Sequence, residues 1–325
     1  MLYFVLMVTL SHKAKQFSLV LAKLLLVGGA LYYLFQQLQQ KSISNFDGIV
    51  SNFSAFSLLG IILLSVLNWL FEFLKWKNLV SSFHKITFKQ AVEQTLGSLT
   101  ASIFTPNRVG EYVAKCLYYS KEKTKRIIFL NFLGNITQMM VTVFFGVFGV
   151  LFYFIFSPFS FDIEYNANEK GLIFWLPILL VILLSVLLFY YKKINFYGYS
   201  VEKIMVKMQL FPARKHFVNV QYSLLRYIIF SHQFYFLLLI FQVDIPYSDA
   251  ILTIFTMYFL ASVIPSIHLM DVVIKGSVAL FLFGKLGVNE WVIASITIIM
   301  WFFNLVIPVL LGSFFVLKFK PKMDL

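Results

Sequence analysis

Cysteine is nearly absent from this 325-residue chain: Cys116 is the only one, which excludes an internal disulfide and any multi-cysteine metal site. Charged residues are scarce, at 13% of the total, and acids are scarcer still, with 14 Asp and Glu against 27 Lys and Arg. Catalytic signatures are missing as well. The chain has no His-Glu-x-x-His, no Cys-x-x-Cys, no nucleophile elbow and no Gly-rich phosphate loop. The few carboxylates near apolar regions, Glu72, Glu93, Glu111, Asp271 and Glu290, are scattered. An aqueous enzyme is therefore not expected, and neither a cofactor nor a metal is expected.

What is abundant is apolar surface. Hydrophobic residues make up 60% of the chain, aromatics 19%, and the mean hydropathy is +0.84, values that suit a bilayer and not water. Uninterrupted apolar runs long enough to cross fall at 17–35, 56–74, 127–156, 172–191, 222–241 and 288–317. The fold expected is an all-α polytopic membrane protein, a single transmembrane domain over 1–325, with six spans. Residues 1–10 are apolar but lack a basic leader and a small-residue cleavage site, and they read as a membrane-surface segment.

Two further apolar regions, 91–120 and 250–284, are each cut near the middle by a proline followed by charged residues. Each arm is about 13 residues, too short to cross, so each region is expected to be a re-entrant hairpin. In the first, Pro106 denies helix to its predecessor, so one helix should end near Phe104 and another begin just after the proline. Arg108, Glu111 and Lys115 then share one helical face, where the acid can pair with either cation. At membrane depth an unpaired charge costs about 2.5–3.5 kcal/mol, so these residues are expected to line a polar cavity suited to an anionic head group. The same stretch also reads as a cytoplasmic interfacial helix whose cations reach head groups without transport.

The second region repeats the pattern around Pro265, with Asp271 and Lys275 spaced i, i+4, acid first. His268 beside it reads as a satisfied polar residue in preference to a proton relay. Entering from opposite sides, two such hairpins would meet near the midplane, as in inverted-repeat transporters. The sequence shows no residue-level repeat between the halves, so the inverted repeat rests on hydropathy alone. Glu72, beside Lys75 and Trp76, reads as an interfacial anchor. Asn131, Asn135, Thr137, Gln138 and Thr142 read as hydrogen-bonding groups between helices or in the same cavity.

The net charge of +13 does not imply nucleic acid. With hairpins assumed, most of the cations collect in loops on one side, notably 121–126, 192–215 and 318–322. The positive-inside rule makes that side cytoplasmic, together with both termini. Anionic lipid is the expected partner.

The string Pro106-x-Arg108-x-Gly110-Glu111-x-x-x-Lys115 resembles a hallmark of the lysylphosphatidylglycerol synthase transmembrane-region family. These are flippase-like proteins related to the membrane half of bacterial multiple peptide resistance factors. Trp76, Pro265, Asn304, Pro308 and Gly312 resemble further landmarks. Where the family shows a Gly-rich turn and an Arg-Glu after the second proline, this chain has Ser266, Ile267 and an offset Asp271. Trp301 stands where an arginine is common. The resemblance implies a bacterial-type inner-membrane protein that flips or handles an anionic phospholipid or polyprenyl-linked lipid. Its substrate-binding residues would be Arg108, Glu111, Lys115, Asp271 and Lys275, and its structural residues Pro106, Gly110, Pro265, Asn304 and Pro308. Lipid aminoacylation is not expected. The alternative is a non-transporting membrane partner that docks a glycosyltransferase or other envelope enzyme through the basic loops. An intramembrane polyprenyl-lipid transferase is a third reading, one that lacks an evident acid/base pair. Oligomeric state is not legible.

Overall fold

The computed structural model describes residues 32, 36, 54–105, 108–156, 195–196, 199–264 and 270–319. The span expected at 172–191, that at 17–35 apart from Tyr32, and Pro106, Pro265 and His268 lie outside the described residues. The described chain is helical except for a two-residue antiparallel bridge, β1 Asn195–Phe196 with β2 Tyr199–Ser200.

Helix α1 is Ala55–Val80, begun where the Ser54 hydroxyl accepts the Ser57 N–H at 3.0 Å. Helix α2, Phe88–Ser102, starts on a capping box: the Thr87 hydroxyl accepts the Gln90 N–H, and the Gln90 side chain accepts the Thr87 N–H at 2.8 Å. Helix α3 is Val109–Cys116. A 3₁₀ turn at Lys121–Lys123 leads into α4, Thr124–Phe156. Helices α5 (Val201–Gln209), α6 (Ala213–Ile240), α7 (Tyr247–Val263) and α8 (Asp271–Lys285) follow. The last span is α9 (Glu290–Trp301), a π-helical turn (Phe302–Val306) and α10 (Ile307–Lys318). Four stretches are long and apolar enough to cross a membrane: Ala55–Val80, Lys121–Phe152, Ala213–Ile240 and Glu290–Lys318. They match four of the six expected runs, and the chain is a polytopic α-helical membrane protein.

The packing pattern maps onto itself when α1, α2, α3 and α4 are exchanged with α6, α7, α8 and α9–α10. Helix α2 packs on α10 as α7 packs on α4; α3 lies on α4 as α8 lies on α9; α1–α2 corresponds to α6–α7. The spacing is close to constant at about 160 residues, because α1 ends at Val80 and α6 at Ile240, and the pair Glu111/Lys115 corresponds to Asp271/Lys275. The central pair, α1 and α6, runs antiparallel. The Asn78 amide donates to the Lys215 carbonyl near one end, Arg226 meets Glu72 in the middle, and Gln233 donates to Ser65 and to the Ile61 carbonyl near the other. Equivalent helices lying antiparallel are what an inverted repeat requires.

Glycine allows the tightest of the equivalent contacts. A Cβ on Gly149 of α4 would stand 2.9 Å from the Leu252 carbonyl oxygen of α7, and one on Gly312 of α10 would collide with Thr100 and the Leu96 carbonyl of α2. One apolar core joins α6, α7, α8 and α9 around Phe234, Ile254, Phe283 and Ile293. A smaller one gathers Trp76, Leu79, Tyr119, Ile127 and Leu130.

Candidate functional site

The two short-helix pairs, α2–α3 and α7–α8, open onto one cavity of about 770 Å³. Its lining mixes charge, amide and aromatic groups: Asn68, Glu72 and Lys75 from α1; Arg108, Glu111 and Tyr112 at the start of α3; Asn135 and Gln138 from α4; Arg226 from α6; Asp271 and Lys275 from α8; and Trp301 and Asn304 near the π turn.

Local backbone chemistry aims the first pair at this space. Helix α2 stops at Ser102, where the Thr105 hydroxyl donates to the Ser102 carbonyl at 2.7 Å and accepts the Gly110 N–H at 3.0 Å. Gly110 is needed there, since a Cβ would meet the Thr105 side chain at 2.8 Å. Arg108 caps α3 in the left-handed conformation, φ 58°, an arrangement that costs an L-residue energy and is tolerated where the surroundings fix it. The helix boundary expected around Pro106 thus falls between Ser102 and Val109.

The cavity floor is one ionic network. The Glu72 carboxylate holds Lys75 at 2.7 Å and the Arg226 guanidinium directly. Arg226 also donates to the Asn68 side-chain oxygen at 3.2 Å and to Gln138 at 3.4 Å. Asn68 donates to Asn304, whose own amide donates to Gln233 at 2.9 Å and to the Met300 carbonyl. Pro308 has no N–H to give the Asn304 carbonyl four residues back, and the Trp69 indole N–H fills that place at 3.2 Å. Asn304 and Pro308 therefore act together, the proline freeing a carbonyl that ties the π turn to α1.

The five residues expected to bind substrate are divided by the structure. Arg108, Glu111, Asp271 and Lys275 face the cavity, and Asp271 and Lys275 form the expected i, i+4 pair at 2.6 Å with side chains 27–30% exposed. Lys115 does not line the cavity. It is 1% exposed, with its ammonium 2.7 Å from Glu111, 2.7 Å from the Asn131 oxygen and 4.1 Å over the Trp76 ring. Two helical turns separate it from Arg108, enough to carry it behind the cavity wall. The interfacial-anchor reading of Glu72 is also corrected, because that carboxylate is buried at the centre of the network. The polar positions of α4 serve both expected roles: Asn131 and Thr137 bond to neighbouring helices, and Asn135, Gln138 and Thr142 line the cavity. Arg226 escaped the sequence reading, although an arginine inside a spanning run marks a functional position by default. Among the described residues no group of three or more His, Cys, Asp or Glu side chains is placed to hold a metal ion.

The described helices and the charged cavity between the two short-helix pairs define the class: a polytopic α-helical membrane protein with a polar interior. The chain matches the family described as lysylphosphatidylglycerol synthase TM region over residues 20–312, and it belongs to that family. Family and fold together make it a multi-pass membrane protein related to lipid modification or transport. None of the curated proteins or solved structures compared with the chain matches it.

Proposed function

We propose that this protein is a flippase-like transporter that moves an anionic phospholipid or polyprenyl-linked lipid, with the head group in the central cavity and the acyl chains outside in the bilayer. The observation that carries this reading is the convergence of Arg108, Arg226 and Lys275, from three different helices, on one space of about 770 Å³ between the two short-helix pairs. A guanidinium fork suits a phosphate, and amides and rings nearby suit the rest of a head group.

In this reading α2–α3 and α7–α8 are re-entrant hairpins. Helices of 15, 8, 17 and 15 residues rise about 22, 12, 26 and 22 Å, short of a hydrocarbon core of about 30 Å. The hairpins enter from opposite leaflets of a bacterial-type plasma membrane with both termini cytoplasmic, an orientation supported by the cationic loops. The protein is a carrier and not an enzyme, and an ion gradient or a partner supplies any driving force. Its sites are Arg108, Glu111, Asp271 and Lys275, with Arg226 added.

The test is head-group translocation in liposomes containing purified protein and fluorescent phospholipids or a polyprenyl-phosphate analogue, comparing wild type with Arg108→Ala and Asp271→Ala. Movement by wild type that disappears in monodisperse variants supports transport. No movement of any lipid by folded protein refutes it and favours the docking-partner role, for which co-purification of envelope enzymes is the direct assay.

A further inference from the structure

A second recess lies apart from the central cavity. Helices α2 and α10 touch where a Cβ on Gly312 would collide with Leu96, and between the start of α2 and the end of α10 is a space of about 340 Å³, within the range of small-ligand sites. Lys89 and Glu93 line it from α2, Phe314 and Lys318 from α10, and Tyr118 and Phe319 from the segments that follow α3 and α10. None of these six lines the central cavity. The Tyr118 hydroxyl donates to the Glu93 carbonyl at 3.2 Å, its ring packs on Phe319 with centroids 4.6 Å apart, and the Lys318 ammonium stands 4.0 Å from the centre of the Phe314 ring.

Lys318 ends the last crossing stretch, Glu290–Lys318, where a lysine carries its charge out to head-group level. On the same helix Leu310 and Leu317 are 62% and 86% exposed, a surface for acyl chains. Lys89, Glu93 and Lys318 enter no ion pair among the described residues. Reaching for the head-group layer accounts for two lysines, but not for a carboxylate placed in the same recess.

We infer that this recess is a binding site for one phospholipid whose head group carries a primary ammonium, a zwitterion of the phosphatidylethanolamine type. The phosphate answers Lys89 and Lys318, the ammonium answers Glu93, and the acyl chains follow the outer face of α10. A purely anionic head group leaves Glu93 beside a phosphate, and a quaternary ammonium has no N–H to give the carboxylate. The inference does not depend on transport through the central cavity.

The experiment places a photoreactive ring at the recess with Phe314→benzoylphenylalanine in the full chain. The protein is reconstituted in nanodiscs of equal parts phosphatidylethanolamine, phosphatidylglycerol and phosphatidylcholine, and captured lipid is read by mass spectrometry. Leu310→benzoylphenylalanine, one turn away and outside the recess, reports the bulk ratio. Phosphatidylethanolamine should be captured at position 314 about threefold above that ratio, the scale of one exposed ion pair. Glu93→Gln should pass the preference to phosphatidylglycerol, and Lys89→Gln/Lys318→Gln should return capture to the bulk ratio. Capture at the bulk ratio by the probe protein, which is adventitious lipid only, overturns the inference. A preference for phosphatidylglycerol before any change at Glu93, or a preference unmoved by these variants, overturns it as well. Excess soluble O-phosphoethanolamine should not compete; if it abolishes the preference, the site takes a soluble phosphate ester and the lipid assignment falls.

Discussion

Replacing Lys115 with Met keeps most of the side chain's volume and removes its charge, which separates a structural ion pair from a transport residue. Lys115 is 1% exposed, and its ammonium is satisfied by Glu111, Asn131 and the Trp76 ring. Removing it leaves the Glu111 carboxylate, 5% exposed, without its nearest cation, and breaking a buried pair in this way costs about 3–5 kcal/mol. At about 2–4 °C per kcal/mol for chains somewhat shorter than this one, thermal unfolding in detergent should begin at least about 6 °C lower. The double variant Lys115→Met/Glu111→Gln should recover much of that loss, because no unpaired charge remains. Size-exclusion after heating reads both. A single variant melting within about 2 °C of wild type would refute the claim that this pair holds α3 against α1 and α4. Loss of lipid movement at unchanged stability would show that Lys115 meets the substrate, against its sealed placement.

Arg226→Lys should impair lipid movement with little gain over Arg226→Ala, because an ammonium cannot reproduce a fork shared among Glu72, Asn68 and Gln138; initial flipping rates in liposomes check it. Gly149→Val should destabilise the chain by about 1–3 kcal/mol through the Leu252 carbonyl contact, whereas Gly284→Ala, with open space around it, should melt like wild type. In a Cys116→Ser background, cysteines at Ser65 and Gln233 should be joined by a short bifunctional thiol reagent, since the native side chains touch at 2.6 Å through the far end of Gln233. Cysteines at Ser65 and Tyr222 should not, and the reverse result would overturn the antiparallel register of α1 and α6.

Hydropathy located the spans because a bilayer demands about 20 apolar residues regardless of their identity. The runs at 56–74, 127–156, 222–241 and 288–317 reappear as crossing helices. The third of these starts earlier than its run, at Ala213, because the segment Ala213–Gln221 carries charges that dilute hydropathy without opposing helix. Local charge spacing was equally legible: Asp271 and Lys275 are four apart, and a helix turns that spacing into a contact. The same averaging that finds spans hid Arg226, one cation among apolar neighbours, and its partner Glu72 lies 154 residues away, beyond any local pattern. The repeat was hidden for a related reason. Most lipid-facing and core positions ask only for an apolar side chain, so two halves with one packing pattern need share few residue identities. What persists is what geometry enforces: an acid and a base one turn apart at the start of α3 and α8, small residues where α4 and α10 meet the opposing short helix, and an interval of about 160 residues between equivalents. The two pairs also differ in burial: Lys115 is sealed behind the cavity wall, whereas Asp271 and Lys275 both face the cavity.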